Sequence, residues 1–260
     1  MPVLIYSLVV LYGLSVGSFL NVIIYRFPRK LAFILNRSIC PQCRNFLKWY
    51  HNFPLVSFIL LGGKCGFCKK RISWRYPLVE FLNAGFYVYF FWQFGWGYQF
   101  LVFSYLSSAL LAIFLIDLDF QIIPDAITIP SMVFGLAISW LPGGIGIVNS
   151  LIGLLVGGGA LYLMAIIGDW IFKKESMGGG DIKMTAMLGT FLGWQQMLFI
   201  FICSSVIGLL VSLVIMAFSK KLRESRIVPF GPYLAIAAAV AMLYGRQIID
   251  FYVKNFLISQ

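Results

Sequence analysis

The 260-residue chain has only nine acidic residues, and three of them, Asp117, Asp119 and Asp125, fall in Ile116-Asp117-Leu118-Asp119-Phe120-Gln121-Ile122-Ile123-Pro124-Asp125. A fourth, Asp181, ends Met177-Gly178-Gly179-Gly180-Asp181. Both segments border long apolar runs, where an ionised carboxylate is costly and is therefore a functional candidate by default. Two such groups brought together can share a proton, leaving one carboxylate to activate water and one carboxylic acid to polarise a carbonyl. On this reading Asp117 and Asp181 are the catalytic pair. Gly178, Gly179 and Gly180 support it by admitting a close-lying backbone, by opening dihedrals closed to other residues and by delaying the helix start. Plainer roles suit the other acids. Asp119 reads as a wet-loop residue, Asp125 after Pro124 as a helix N-cap, and N-capping stays open for Asp181 taken alone. Asp169 and Glu175 flank a helix end beside Lys173 and Lys174, where interfacial ion pairing suffices.

A second constellation is Cys40-Pro41-Gln42-Cys43 and Cys65-Gly66-Phe67-Cys68. Two CxxC knuckles at this spacing predict a closed four-thiolate zinc site, Cys40, Cys43, Cys65 and Cys68, whose metal is structural because no position remains for water. Disulfides compete with this reading and are disfavoured if the loop faces a reducing compartment. Cys203 stands alone in an apolar run and reads as a small packing residue. His51, the single histidine, could be a spare ligand but is expected at the surface. Without a second histidine, nucleophilic catalysis through histidine has little support.

The elements that must hold these groups follow from composition. With 61% hydrophobic and 11% charged residues, the chain has too little polar surface for a water-soluble domain. Eight spans are expected, at 3–24, 77–92, 98–116, 126–140, 148–172, 182–193, 196–218 and 229–244. The first lacks the basic start and small-residue cleavage site of a secretory signal and reads as a permanent helix. Residues 77–116 could form one long helix, but Gly95-Trp96-Gly97 predicts two. Fold class is thus an all-α polytopic membrane protein with a small zinc-ribbon-like loop domain. Its expected parts are a first transmembrane helix (1–25), a basic cysteine loop (26–76) and a membrane domain with the aspartate pair (77–260).

Charge position orients the chain. The net charge of +11 invites a nucleic-acid reading, but 18 of the 20 Lys and Arg fall in or beside the loops after spans one, three, five and seven. That asymmetry is the positive-inside pattern, with cytoplasmic basic loops and periplasmic termini in a bacterial inner membrane. Eleven basic residues and no acid lie between Tyr25 and Tyr76, so this loop faces anionic lipid headgroups or an acidic partner rather than nucleic acid. Asp117 then closes a helix arriving at the cytoplasmic face and Asp181 opens one leaving it, at the same membrane depth.

These residues resemble the prepilin peptidases of type IV pilus and type II secretion systems, within the GxGD aspartyl proteases. The resemblance rests on Gly17-Ser18-Phe19-Leu20-Asn21-Val22-Ile23-Ile24-Tyr25-Arg26, both knuckles, Arg75-Tyr76-Pro77-Leu78-Val79-Glu80, the Asp117 to Asp125 segment, Gly178-Gly179-Gly180-Asp181 and Pro229-Phe230-Gly231-Pro232-Tyr233, in that order. It implies catalytic Asp117 and Asp181, and cleavage after a glycine that follows a short basic leader of pilin or pseudopilin precursors at the cytoplasmic face. It also implies N-methylation of the new amino group from S-adenosylmethionine, assigned to residues 17–80 by resemblance alone. A proton-coupled transporter capped by a zinc ribbon is an alternative, weakened by the absence of an internal repeat. A non-catalytic secretion scaffold is another, and it would not require paired aspartates.

Overall fold

The computed structural model describes residues 2–31, 38–40, 42–174, 177–218, 229–252, 254 and 255; Pro41, Glu175, Lys220 and Lys221 lie outside them. Nine α-helices are found among the described residues: α1 Pro2–Arg26, α2 Val56–Leu60, α3 Arg75–Phe94, α4 Tyr98–Phe120, α5 Asp125–Ser139, α6 Ile147–Phe172, α7 Gly179–Leu192, α8 Trp194–Phe218 and α9 Gly231–Tyr252. Extended pairing there is confined to two isolated antiparallel bridges in the cysteine loop.

The eight expected spans correspond one to one with α1 and α3 to α9. Of these, α1, α4, α6 and α8 are long and apolar enough to cross a membrane, and α5 and the 231–245 part of α9 are apolar but shorter. The 77–116 stretch is two helices. Gly95, at φ +59°, accepts a conformation that strains other residues, and its N–H closes α3 onto the Phe91 carbonyl. α6 ends on Lys173 in the left-handed region, its N–H on the Asp169 carbonyl. α4 runs one turn past its expected end, so Asp117 lies inside its last turn. α7 has 14 residues, about 21 Å of helix, less than the hydrocarbon thickness.

The chain forms two compact units, Met1–Ala112 and Ile113–Gln260, with α4 passing from one to the other. In the first, α1 and α3 meet through glycines. A Cβ added to Gly13 would stand 2.7 Å from the Ala84 Cα, and one added to Gly17 would stand 2.7 Å from the Glu80 Cα. Small residues four apart thus let the two backbones touch. The buried Asn83 secures the contact, its Nδ2 donating to the Gly13 carbonyl at 2.8 Å while its Oδ1 accepts from the Ser108 hydroxyl at 2.7 Å. The end of α3 packs on α4 through Phe91 edge-to-face with Phe100, and Trp96 of the link between them meets Phe91 the same way.

In the second unit α7 is the hidden element, buried continuously from Met184 to Phe191. It reaches that position because its neighbours offer glycine faces. Gly153 of α6 lies on the backbone of Gly189, Gly157 on the Thr185 carbonyl, and Gly135 of α5 beneath Thr190. The Ser150 hydroxyl donates to the Thr190 carbonyl at 2.7 Å, fastening α6 to α7. Close approach and a side-chain hydrogen bond replace the hydrophobic driving force that lipid does not supply between helices.

Candidate active site and cysteine cluster

Asp117 occupies the last turn of α4, which ends at Gln121 in a left-handed conformation with its N–H on the Asp117 carbonyl at 2.9 Å. The side chain is buried, at 4% exposure, although it carries a carboxylate. Its partner is the first residue of α9: the Gly231 N–H donates to the Asp117 carboxylate. The fit is close, since a Cβ on Gly231 would stand 2.5 Å from the Asp117 Oδ2 and 3.0 Å from the Ile123 Cδ1. Gly231 is therefore a positioning residue for Asp117. Gly231 stands within Pro229-Phe230-Gly231-Pro232-Tyr233, and no local signal there pairs it with an aspartate so far upstream.

Asp181 is the third residue of α7, half-buried, in the same unit. Ile123 links the two segments, standing 2.8 Å from a Cβ added to Gly180, next to Asp181, and 3.0 Å from one added to Gly231, whose N–H holds Asp117, and the Asp117 charge reaches Asp181. The Asp181 Oδ1 is buried and has no hydrogen-bond partner among the described residues. An orphaned buried acceptor within reach of a second carboxylate's charge calls for a proton, a water or a substrate group.

The glycines before Asp181 act differently from expectation. Gly178 is the N-cap at φ −70°, and neither Gly179 nor Gly180 has positive φ; both lie inside α7 rather than delaying it. Space is what they provide. A Cβ on Gly180 would stand 2.8 Å from the Ile123 Cβ, whereas Gly179 faces open space. The capping role expected of Asp125 is also corrected: Pro124 holds the N-cap position without a side-chain bond, because Pro fixes the extended entry. Asp125 instead pairs with Lys183 at 2.7 Å, with both side chains largely exposed. Asp119 is exposed in the last turn of α4, not in a loop.

The four cysteines converge in the first unit, their sulfurs all within 4.8 Å of one another. Each knuckle is a small hairpin, closed by the Ile39–Phe46 bridge in one and the Lys64–Arg71 bridge in the other. The two repeat each other bond for bond. Cys40 N–H donates to Asn45 O at 3.0 Å and Arg44 N–H to Cys40 O at 2.8 Å; Cys65 N–H donates to Lys70 O at 2.8 Å and Lys69 N–H to Cys65 O at 3.0 Å. Arg44 and Lys69, each just after a knuckle's second cysteine, sit at φ +58° and +57°. A tetrahedral zinc with bonds of about 2.3 Å sets its sulfurs about 3.8 Å apart, so a small contraction of this cluster would enclose the ion. The thiols also divide electrostatically. Burial lifts the Cys65 thiol, but the Cys68 and Phe67 N–H groups and the Cys40 and Cys68 thiols bring it down to about 7. The Asn45 N–H lowers Cys43, yet burial and the Cys40 and Cys68 thiols raise it to about 11. One thiol is thus ready to ionise near neutrality while another retains its proton until a cation replaces it.

His51 corrects an expectation. It is half-buried rather than at the surface, ringed edge-on by Tyr50 at 4.7 Å and Phe67 at 5.7 Å. Its imidazole lies over Gly66 inside the second knuckle, so it props the cluster instead of joining it. Cys203 is half-buried on α8, apart from the cluster.

Comparison with known proteins adds a second line. The Bacterial Peptidase A24 N-terminal domain matches residues 11–94 and the Type IV leader peptidase family matches residues 104–213. The chain is similar to a Prepilin leader peptidase/N-methyltransferase of Pseudomonas aeruginosa, 37% identical over 94% of this chain and 92% of that one. It is similar also to proteins of the same description from Aeromonas hydrophila, 35% identical over 99% and 97%, and from Legionella pneumophila, 33% identical over 97% and 96%. No solved structure matches.

Proposed function

The chain belongs to the type IV leader peptidase family, and from that premise we propose that it cleaves prepilin leader peptides and N-methylates the exposed amine. Cleavage is assigned to Asp117 and Asp181. The observation that supports this is that both lie in one unit, with Asp117 held by the Gly231 N–H, its charge reaching Asp181, and a buried oxygen of Asp181 without a partner among the described residues. Sharing one proton, the ionised carboxylate accepts a proton from water as the oxygen attacks the scissile carbonyl, and the protonated one donates a hydrogen bond to that carbonyl. Collapse of the tetrahedral intermediate breaks the C–N bond and passes a proton to the departing amine. Open space beside Gly179 suits an extended peptide lying against the N-terminal turn of α7.

Substrates are prepilins or pseudopilins, whose basic leaders suit the anionic lipid surface that the chain's own basic loop also favours. The site lies on the cytoplasmic side of the bacterial inner membrane by the distribution of Lys and Arg. Cys40, Cys43, Cys65 and Cys68 would hold a zinc ion. When bound, it cross-links the two knuckles and leaves no open position for catalysis. Residues 1–25 serve as the first membrane helix, 26–76 as the cysteine loop and 77–260 as the proteolytic membrane domain. Mixing the purified protein with a prepilin tests the reading: precursor mass should fall by the leader and rise by a methyl group when S-adenosylmethionine is added. Intact precursor with folded enzyme present would overturn it.

A further inference from the structure

The first unit contains a half-open cavity of about 1030 Å³, lined by residues of α1, the cysteine loop and the start of α3. Its size reaches the top of the range usual for small-molecule sites, about 300–1,000 Å³. Glu80 lines it and is buried, at 8% exposure. It is also the single carboxylate in residues 1–112, in a region whose charge is otherwise all positive. Part of its role is structural: one oxygen accepts the Leu55 N–H at 2.8 Å, holding a non-glycine residue at φ +57° in the cavity wall. The Ser18 hydroxyl, one residue after the Gly17 contact, donates to the same carboxylate. Arg26, buried as well, lines the cavity with the rings of Tyr25 and Tyr76.

A buried acid, a buried base and aromatic faces around one cavity match a particular ligand chemistry. The ligand should carry a cation and a carboxylate on one flexible arm and a flat ring on the other. Arg44, Lys70 and Arg71 also line the cavity and suit an anionic group, but an anionic headgroup would place no cation beside the buried Glu80, and an acyl chain would offer neither Glu80 nor Arg26 a polar contact. We propose that this cavity binds the methyl donor, a sulfonium nucleoside of the S-adenosylmethionine type, with Glu80 supplying the countercharge to the sulfonium and Arg26 to the carboxylate. The aromatic rings offer the base a stacking surface and add cation–π attraction. This rests on the proposed N-methylation and deepens it by naming the pocket.

The test is ligand binding to the full-length purified protein, read by calorimetry rather than by turnover. S-adenosylmethionine and its neutral product S-adenosylhomocysteine differ at the sulfur in one methyl group and one charge, so their ratio reports the countercharge. The wild-type protein should favour the sulfonium. Glu80→Gln retains an oxygen for the Leu55 N–H but not the charge, and should lower sulfonium affinity about tenfold while changing the thioether little. Equal loss for both ligands would make Glu80 a wall residue only and defeat its proposed role. Val22→Trp, which fills the cavity from α1, should abolish binding of both. Should that variant fold poorly, photo-crosslinking of labelled S-adenosylmethionine to wild-type protein gives the location independently. Label within residues 15–80 supports the pocket, and label confined to 113–260 overturns it. A protein that cleaves and methylates prepilin yet labels only in 113–260 would refute the pocket and leave the proposed function intact.

Discussion

Asp117→Asn and Asp181→Asn retain size and polarity but cannot share or accept a proton. Each should reduce cleavage by at least about a thousandfold, and the double variant should be little worse than either, measured as precursor processed per mole of membrane-inserted enzyme. Gly231→Ala makes a subtler case. The added methyl would meet the Asp117 Oδ2, so the carboxylate or the start of α9 must shift. Cleavage should fall by about tenfold or more, since small displacements of a catalytic group carry large rate penalties, while the melting temperature changes little. Unchanged cleavage would remove Gly231 from the site. Asp125→Asn should keep activity within about twofold, because its pairing with Lys183 is exposed and such pairs contribute little. At this scale the sequence made the two aspartates legible through their apolar borders. It could not show Gly231, which touches Asp117 only after the chain returns from more than a hundred residues downstream, nor the surroundings of His51, which come in part from Gly66 and Phe67 of the second knuckle.

The elements that carry these residues differ in how they are secured. α7 depends on glycines, and Gly157→Leu should press a side chain against the Thr185 carbonyl and wedge α6 away from α7. Overpacking of this kind costs about 1–3 kcal/mol or more, and it should appear as a lower melting temperature together with lost cleavage, since Asp181 rides on the displaced helix. The cysteine hairpins depend instead on a cross-link. Cys65→Ser should abolish stoichiometric zinc by elemental analysis and expose the loop to protease before the membrane helices. Metal affinity should also fall as pH is lowered through neutrality, because a thiol at about 7 and another at about 11 must both lose protons to bind; a pH-independent affinity in a chelator competition would contradict this. Helix positions were readable because glycine pairs, lysine pairs and apolar runs are local signals. The partners of α7 were not, since the glycines of α6 look the same in sequence whether they face lipid or another backbone.

For the whole molecule the placement of lysines and arginines predicts an orientation, and Trp74, Trp92, Trp96, Trp140 and Trp170 are exposed at or beside helix ends, where interfacial aromatics are favoured. Gly97→Cys should accordingly react with an impermeant maleimide in intact cells, whereas Lys173→Cys should react above the parent's background only after permeabilisation. The reverse pattern would invert the topology and move the aspartates to the opposite face. Net charge alone pointed equally to nucleic acid, so the useful signal was the placement of the charges along the chain.

The hydrogen bond from Gly231 to Asp117 sets an order of events during synthesis. At about 5–20 residues per second, the ribosome needs several seconds to extend the chain from the aspartate to the glycine. Over that interval Asp117 waits without its donor while the intervening helices insert. On the proposed role of Asp117, the protease is complete only when α9 docks, and a nascent chain stalled before it should display both aspartates yet leave precursors uncut.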